Sequence, residues 1–247
     1  MNLLISFSFA TIVNIQGADW CYQSQVTCGG NCTGPDGWAT VAGTCDGRAQ
    51  SPINIVTRRT LPDGRLTPFT FTGYQEAFHG FITNNGHTVQ VDLPATAKVQ
   101  GGDLAVPYKA VQLHLHWGKD GGPGSEHTID GERYPMELHI VNIKEEYNSL
   151  AEALKDTAGV GVLGFFYEES RSSNKKYDAI VNALNTIKHP IPSEIDSGRV
   201  GCGWAGLWRT HCSRPSPLPS PYRSFSDETR LTINWIPRKW GKMLLSK

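Results

Sequence analysis

The chain has 247 residues, enough to bury a sizeable core and compatible with one compact domain. Its 23 Lys plus Arg balance 23 Asp plus Glu, which argues against a non-specific nucleic-acid binder, since that function needs a net-positive face to neutralise phosphates. With 39% hydrophobic, 10% aromatic and 19% charged residues, a folded chain is favoured over a disordered one.

Taken from the amino end, the first 18 residues carry no charged side chain, Leu3 to Ile15 is mostly apolar, and Gly17-Ala18 supplies small residues before Asp19. That pattern predicts a secretory signal over 1–18, with a buried amino-terminal strand or helix as the alternative. No later stretch approaches the length of apolar helix that crosses a bilayer, so no transmembrane segment is expected. Residues 19–50 are rich in Gly, Cys and Thr and read as an irregular, stapled approach to the body. Cys21, Cys28, Cys32 and Cys45 lie near the start, with Cys202 and Cys212 near the end. Behind a signal, an even count points to disulfides in an oxidising compartment, with the pairing left open. Zinc ligation is the competing use of these cysteines, but their spacing lacks a paired C-x-x-C framework. Asn31-Cys32-Thr33 is an acceptor sequence for N-glycosylation.

Farther along, Ile53–Ile55, Thr70–Thr72 and Thr88–Asp92 alternate at period two, as half-buried strands do. Asn84-Asn85-Gly86 is a turn signal that places His87 at a strand entrance. Val111 to Trp117, Met136 to Asn142 and Val160 to Tyr167 are further strand candidates. Two helices are predicted: Glu145 to Lys155, and a second in which Tyr177, Ile180, Val181, Leu184 and Ile187 recur every 3.6 residues before Pro190 and Pro192 end it. Beyond residue 190, Pro215, Pro217, Pro219 and Pro221 exclude a central strand or helix interior, leaving Arg230 to Ile236 as the one strand-like segment. The fold class is mostly β with peripheral helices (α+β). The expected organisation is a signal at 1–18, a body at 19–189 and an atypical region at 190–247.

Chemistry concentrates in two strands. In Gln112-Leu113-His114-Leu115-His116-Trp117, both imidazoles fall on one face and both leucines on the other. In Glu137-Leu138-His139-Ile140-Val141, Glu137, His139 and Val141 share a face while Leu138 and Ile140 face the core. If the strands are neighbours, His114, His116 and His139 converge on one ion. Zn²⁺ accepts three imidazoles and keeps a fourth position for water, whereas the lack of a carboxylate in the trio weakens the non-haem iron reading; ligand type alone leaves copper open. Gln112 and Glu137 are placed to receive the imidazoles' other N–H groups. His87 is either an exposed surface histidine or a solvated base able to relay protons.

At these blocks the chain resembles the α-class carbonic anhydrases, especially the secreted or membrane-anchored, carbonic anhydrase IV-like branch. The matching stretches are Gln50-Ser51-Pro52-Ile53-Asn54-Ile55, Asn84-Asn85-Gly86-His87-Thr88, Gln112 to Gly118, Gly124-Ser125-Glu126-His127, Met136 to Val141 and Val162-Leu163-Gly164. The resemblance covers residues 20 to about 189 and implies a large, twisted, mostly antiparallel central sheet, incomplete at its carboxy-terminal end. It implies that His114, His116 and His139 are zinc ligands, that Gln112 and Glu137 orient them, and that His87 is the proton shuttle. Val141 and Val162 become the apolar rest for CO₂, Asn85 and Gln90 the hydrophilic residues along the water chain, and Trp20 and Tyr22 the amino-terminal aromatic pair. Glu126 matches the acid that accepts a hydrogen bond from a threonine hydroxyl in the family. The implied activity is reversible hydration of CO₂ to bicarbonate and a proton by zinc-bound hydroxide, in a secreted monomer with a small-molecule substrate.

The family carries that threonine in a Ser-Leu-Thr-Thr-Pro segment, which has no counterpart after residue 190. Cys45 matches a cysteine whose family partner follows the missing segment, and Met243-Leu244-Leu245 is too short for a lipid-anchor tail. A zinc-binding, carbonic-anhydrase-like protein with impaired or absent turnover is therefore the alternative reading.

Overall fold

The computed structural model describes residues 3–6, 20–27, 32–118, 122–187 and 244–246. In chain order the strands are β1 (Leu3–Ser6), β2 (Asn54–Ile55), β3 (Thr70–Thr72), β4 (Ile82–Asn84), β5 (Val89–Asp92), β6 (Lys98–Gln100), β7 (Tyr108–Trp117), β8 (Thr128–Ile129), β9 (Glu132–Arg133), β10 (Met136–Lys144), β11 (Val160–Tyr167) and β12 (Leu244–Ser246). The helices are α1 (Gln23–Thr27), α2 (Trp38–Val41), α3 (Leu150–Ala153) and α4 (Asp178–Ala183).

Among the described residues a nine-stranded sheet runs β12-β1-β11-β10-β7-β5-β4, with β6 against β7 and β3 against β6. Every named pairing in it is antiparallel except β1 with β12. β2, β8 and β9 form a small separate sheet. The long central strands β7 and β10 are those whose sequences alternate most strongly. Their ladder pairs Glu137 with His116, Leu138 with Leu115, His139 with His114, Ile140 with Leu113 and Val141 with Gln112.

This register sorts side chains into rows across the sheet. Val91, Leu113, Ile140 and Leu163 are successive neighbours on β5, β7, β10 and β11, and each is buried. They anchor a core that includes Val99, Tyr108, Leu138, Phe165 and Ile180. The next row is Gln90, His114, His139 and Gly164, on the opposite face. One face therefore excludes water, and the other holds the polar groups.

The helices are shorter than the sequence suggests. The Ser149 hydroxyl caps α3 by accepting from the Glu152 backbone N–H at 3.2 Å, so residues 145–148 stay outside the helix. The second predicted helix becomes α4 flanked by tight turns at Lys175–Tyr177 and Leu184–Thr186. It buries Ile180 and Ala183, while Val181 is 47% exposed and falls off the predicted apolar stripe. Leu3–Ser6 pairs with Phe165–Val162 of β11; the rest of the proposed signal lies outside the described residues. Arg230 to Ile236 also lies outside them, as does the 190–247 region apart from β12. No helix among the described residues is long and apolar enough to cross a membrane.

Candidate metal centre

His114 and His116 extend from β7 and His139 from β10, with ring centroids 4.9 Å (114–116), 5.2 Å (114–139) and 4.7 Å (116–139) apart. One nitrogen of each ring lies within 4.8 Å of those of the other two. His114 Nδ1 is 2.9 Å from Gln112 Oε1 and His139 Nε2 is 2.7 Å from Glu137 Oε1, which leaves the opposite ring nitrogens for an ion. His116 Nε2 is buried and has no hydrogen-bond partner among the described residues. Buried nitrogens are normally paired, so an unpaired one beside two other imidazoles fits a metal ligand, and the donor set suits zinc. Burial, assisted by the neighbouring His139, pushes the His114 imidazole down to about 3 and His116 well below its ordinary value. Both rings are therefore neutral at pH 7, the state a metal requires.

Glu137 is fully buried and saturated with donors. Its Oε2 accepts the backbone N–H groups of Glu126 and His127, each at 2.9 Å, and its Oε1 lies 2.7 Å from both His127 Nδ1 and His139 Nε2. Burial would raise its carboxyl, but the bonds from His127 and His139 outweigh that and hold it well below the usual range. His127 Nε2 is in turn 3.1 Å from Ser51 Oγ, which gives a chain from Ser51 through His127 and Glu137 to His139. His127, Glu137 and His139 form a second grouping with metal-ligand spacing. An ion there would displace both short Glu137–imidazole contacts, so we assign this group to orienting His139. The sequence left His127 without a role; its signal was its place beside Glu126 in a matching block.

The loop bearing Glu126 and His127 passes close to β7 because residue 124 is glycine: a Cβ there would stand 1.9 Å from the Gly118 nitrogen. Glu126 Oε1 lies 3.3 Å from His116 Nδ1, and its Oε2 lies 3.8 Å from His139 Nδ1. Burial raises its carboxyl, partly opposed by His139. Val141 is buried on β10, across from Gln112 on β7 and Val162 on β11, in the row beside His139.

His87 lies outside the trio, its ring stacked on Trp20 with centroids 3.9 Å apart. Tyr22 stands edge-on to both His87 (6.3 Å) and His116 (6.2 Å). Burial lowers the His87 imidazole. Asn85 Oδ1 accepts from the backbone N–H groups of His87 and Thr88, shaping the turn. Gln90 is the β5 neighbour of His114, and its Nε2 donates to Asp92 Oδ1 at 3.3 Å.

Of the six candidate cysteines, Cys21 and Cys32 are disulfide-bonded, and Cys45 is exposed and free among the described residues. Cys28, Cys202, Cys212 and Asn31 lie outside them.

Residues 33–198 match the family model described as eukaryotic-type carbonic anhydrase. The chain is similar to carbonic anhydrase 4 of Rattus norvegicus, at 36% identity over 80% of this chain and 64% of the relative. It is also similar to carbonic anhydrase 4 of Mus musculus, at 42% over 77% and 61%, and to carbonic anhydrase 3 of Bos taurus, at 39% over 63% and 60%. It thus spans about three fifths of the length of these curated relatives. The match over two thirds of the sequence and these identities show that the chain belongs to the eukaryotic-type carbonic anhydrase family.

Proposed function

We propose that the chain catalyses reversible hydration of CO₂ to bicarbonate and a proton at a zinc ion held by His114, His116 and His139. The observation that carries this reading is the buried His116 Nε2, without a partner among the described residues, beside two imidazoles whose other nitrogens are occupied. When bound, zinc acts as a Lewis acid and brings the pKa of a water it holds from about 15.7 to near 7. Gln112 and Glu137 fix the ring orientation of His114 and His139, and the Glu137 charge raises the basicity of its imidazole. Val141 and Val162 provide the apolar wall for CO₂. His87, whose imidazole pKa is lowered by burial, is the group that takes up a proton and passes it outward. Asn85 holds the turn that carries it.

A second reading, a zinc-binding domain with little turnover, is favoured by the absent Ser-Leu-Thr-Thr-Pro segment and by Glu126 facing His116. Zinc content and stopped-flow CO₂ hydration of the purified chain separate the two. Stoichiometric zinc with sulfonamide-sensitive turnover supports the lyase. Stoichiometric zinc without turnover overturns it in favour of the second reading, and absence of zinc binding overturns both. The product is proposed to be extracellular and glycosylated at Asn31; the apolar, uncharged amino-terminal stretch and the Cys21–Cys32 disulfide support secretion. Amino-terminal sequencing of protein from culture medium tests that localisation.

A further inference from the structure

Gln25 lies on α1, inside the loop closed by the Cys21–Cys32 disulfide, far in sequence from the Asn84–Thr88 turn. Its Nε2 donates to the Gly86 carbonyl at 2.8 Å. Its Oε1 accepts the Tyr22 backbone N–H at 3.0 Å and stands 3.4 Å from His87 Nδ1. One amide therefore bridges the amino-terminal loop, the turn before His87 and the His87 ring. The face of that ring is held separately by Trp20, 3.9 Å away and nearly parallel. A neutral imidazole has one donor and one acceptor nitrogen, and the partner of one nitrogen decides the state of the other. Gln25 Oε1 can only accept, so Nδ1 opposite it must carry the hydrogen, which leaves Nε2 as the acceptor.

We propose that Gln25 is a positioning residue for His87, holding its imidazole in the Nδ1–H tautomer with Nε2 open to receive a proton. This deepens the CO₂-hydration reading and rests on it for the role of His87. The arrangement makes the amino-terminal loop part of the proton-transfer apparatus: the disulfide and the Trp20 stack set where the ring sits, and the Gln25 amide sets which nitrogen faces the incoming proton.

The test is two-bond ¹H–¹⁵N correlation spectroscopy on the zinc-supplemented full chain, with the His87 signals assigned by their loss in His87→Ala. The wild type should show a single Nδ1–H pattern. Gln25→Ala should lose it, and Gln25→Glu, which keeps the acceptor oxygens, should retain it. In stopped-flow CO₂ hydration at low buffer, Gln25→Ala should lower kcat by roughly threefold or more, a small part of the about 10²–10⁴ that a positioned proton-transfer group contributes. Its kcat/KM should hold, and added imidazole should restore kcat. An unchanged His87 tautomer in Gln25→Ala, or loss of the pattern in Gln25→Glu as well, overturns the proposal. A wild type without turnover overturns the lyase reading instead, and the spectroscopic result then stands by itself.

Discussion

His139 stands directly across the β7–β10 ladder from His114, their ring centroids 5.2 Å apart and the rings nearly perpendicular. Each ring is held from behind by an acceptor two residues away on its own strand, Glu137 for His139 and Gln112 for His114. Two residues is one strand repeat, so imidazole and acceptor share a face without any turn of the backbone.

The Glu137 contacts predict a specific failure in Glu137→Gln. The carboxylate faces two backbone N–H groups on one oxygen and two imidazole nitrogens on the other, and an amide replaces one of those oxygens with a donor. Zinc affinity should fall roughly 10–100-fold. Chelator competition measures it, and His139→Ala should lose zinc altogether by elemental analysis. An unchanged affinity in Glu137→Gln would remove Glu137 from the support of the site.

Val141 is fully packed between Gln112 and Val162, beside the row of imidazoles. Val141→Phe should retain stoichiometric zinc while CO₂ hydration falls roughly tenfold or more, with overpacking costing about 1–3 kcal/mol of stability. Normal kcat/KM in a zinc-loaded Val141→Phe would show that CO₂ does not rest there.

Asp156 receives Lys144 Nζ, the Ala158 backbone N–H and the Tyr147 hydroxyl, and these hold its carboxyl at about 2, below its ordinary 3.8. A depressed folded-state pKa stabilises the fold above the ordinary value, and that stabilisation fades as pH falls toward the folded one. The urea midpoint of Asp156→Asn should therefore lie below wild type at pH 7, and the gap should narrow as pH drops through 3.8 toward about 2. A gap independent of pH would contradict the assignment.

The outer edge of β11 is covered by Leu3–Ser6. A chain lacking residues 1–18 loses that cover, and unpaired strand edges invite pairing with other chains. Sedimentation velocity should show concentration-dependent self-association of this variant; a monomer at all concentrations would show that β11 needs no such cover.

The parts of the fold legible in the sequence are those whose cause is local. β7, β10 and β11 announce themselves because a face-by-face alternation or an apolar run extends over many residues, and Thr70–Thr72 and Val160–Tyr167 are strands at the expected bounds. β4, β6, β8 and β9, only two or three residues each, carry too little pattern and exist because a neighbour pairs with them. The site divides in the same way. The His trio, Gln112 and Glu137 are visible as i, i+2 spacings within strands. Gln25 and the His127–Ser51 contact are not, because their partners lie 61 and 76 residues away.

The alternation of rows on β7 and β10 has a consequence for how errors in assembly are handled. A one-residue slip of β7 against β10 would turn Leu113 and Leu115 to the polar face and press His114 and His116 into hydrocarbon, since side chains change face at every residue. A slipped chain could neither seal its interior nor bring three imidazoles together. Metal uptake at all three nitrogens would therefore report that the two strands have met in step.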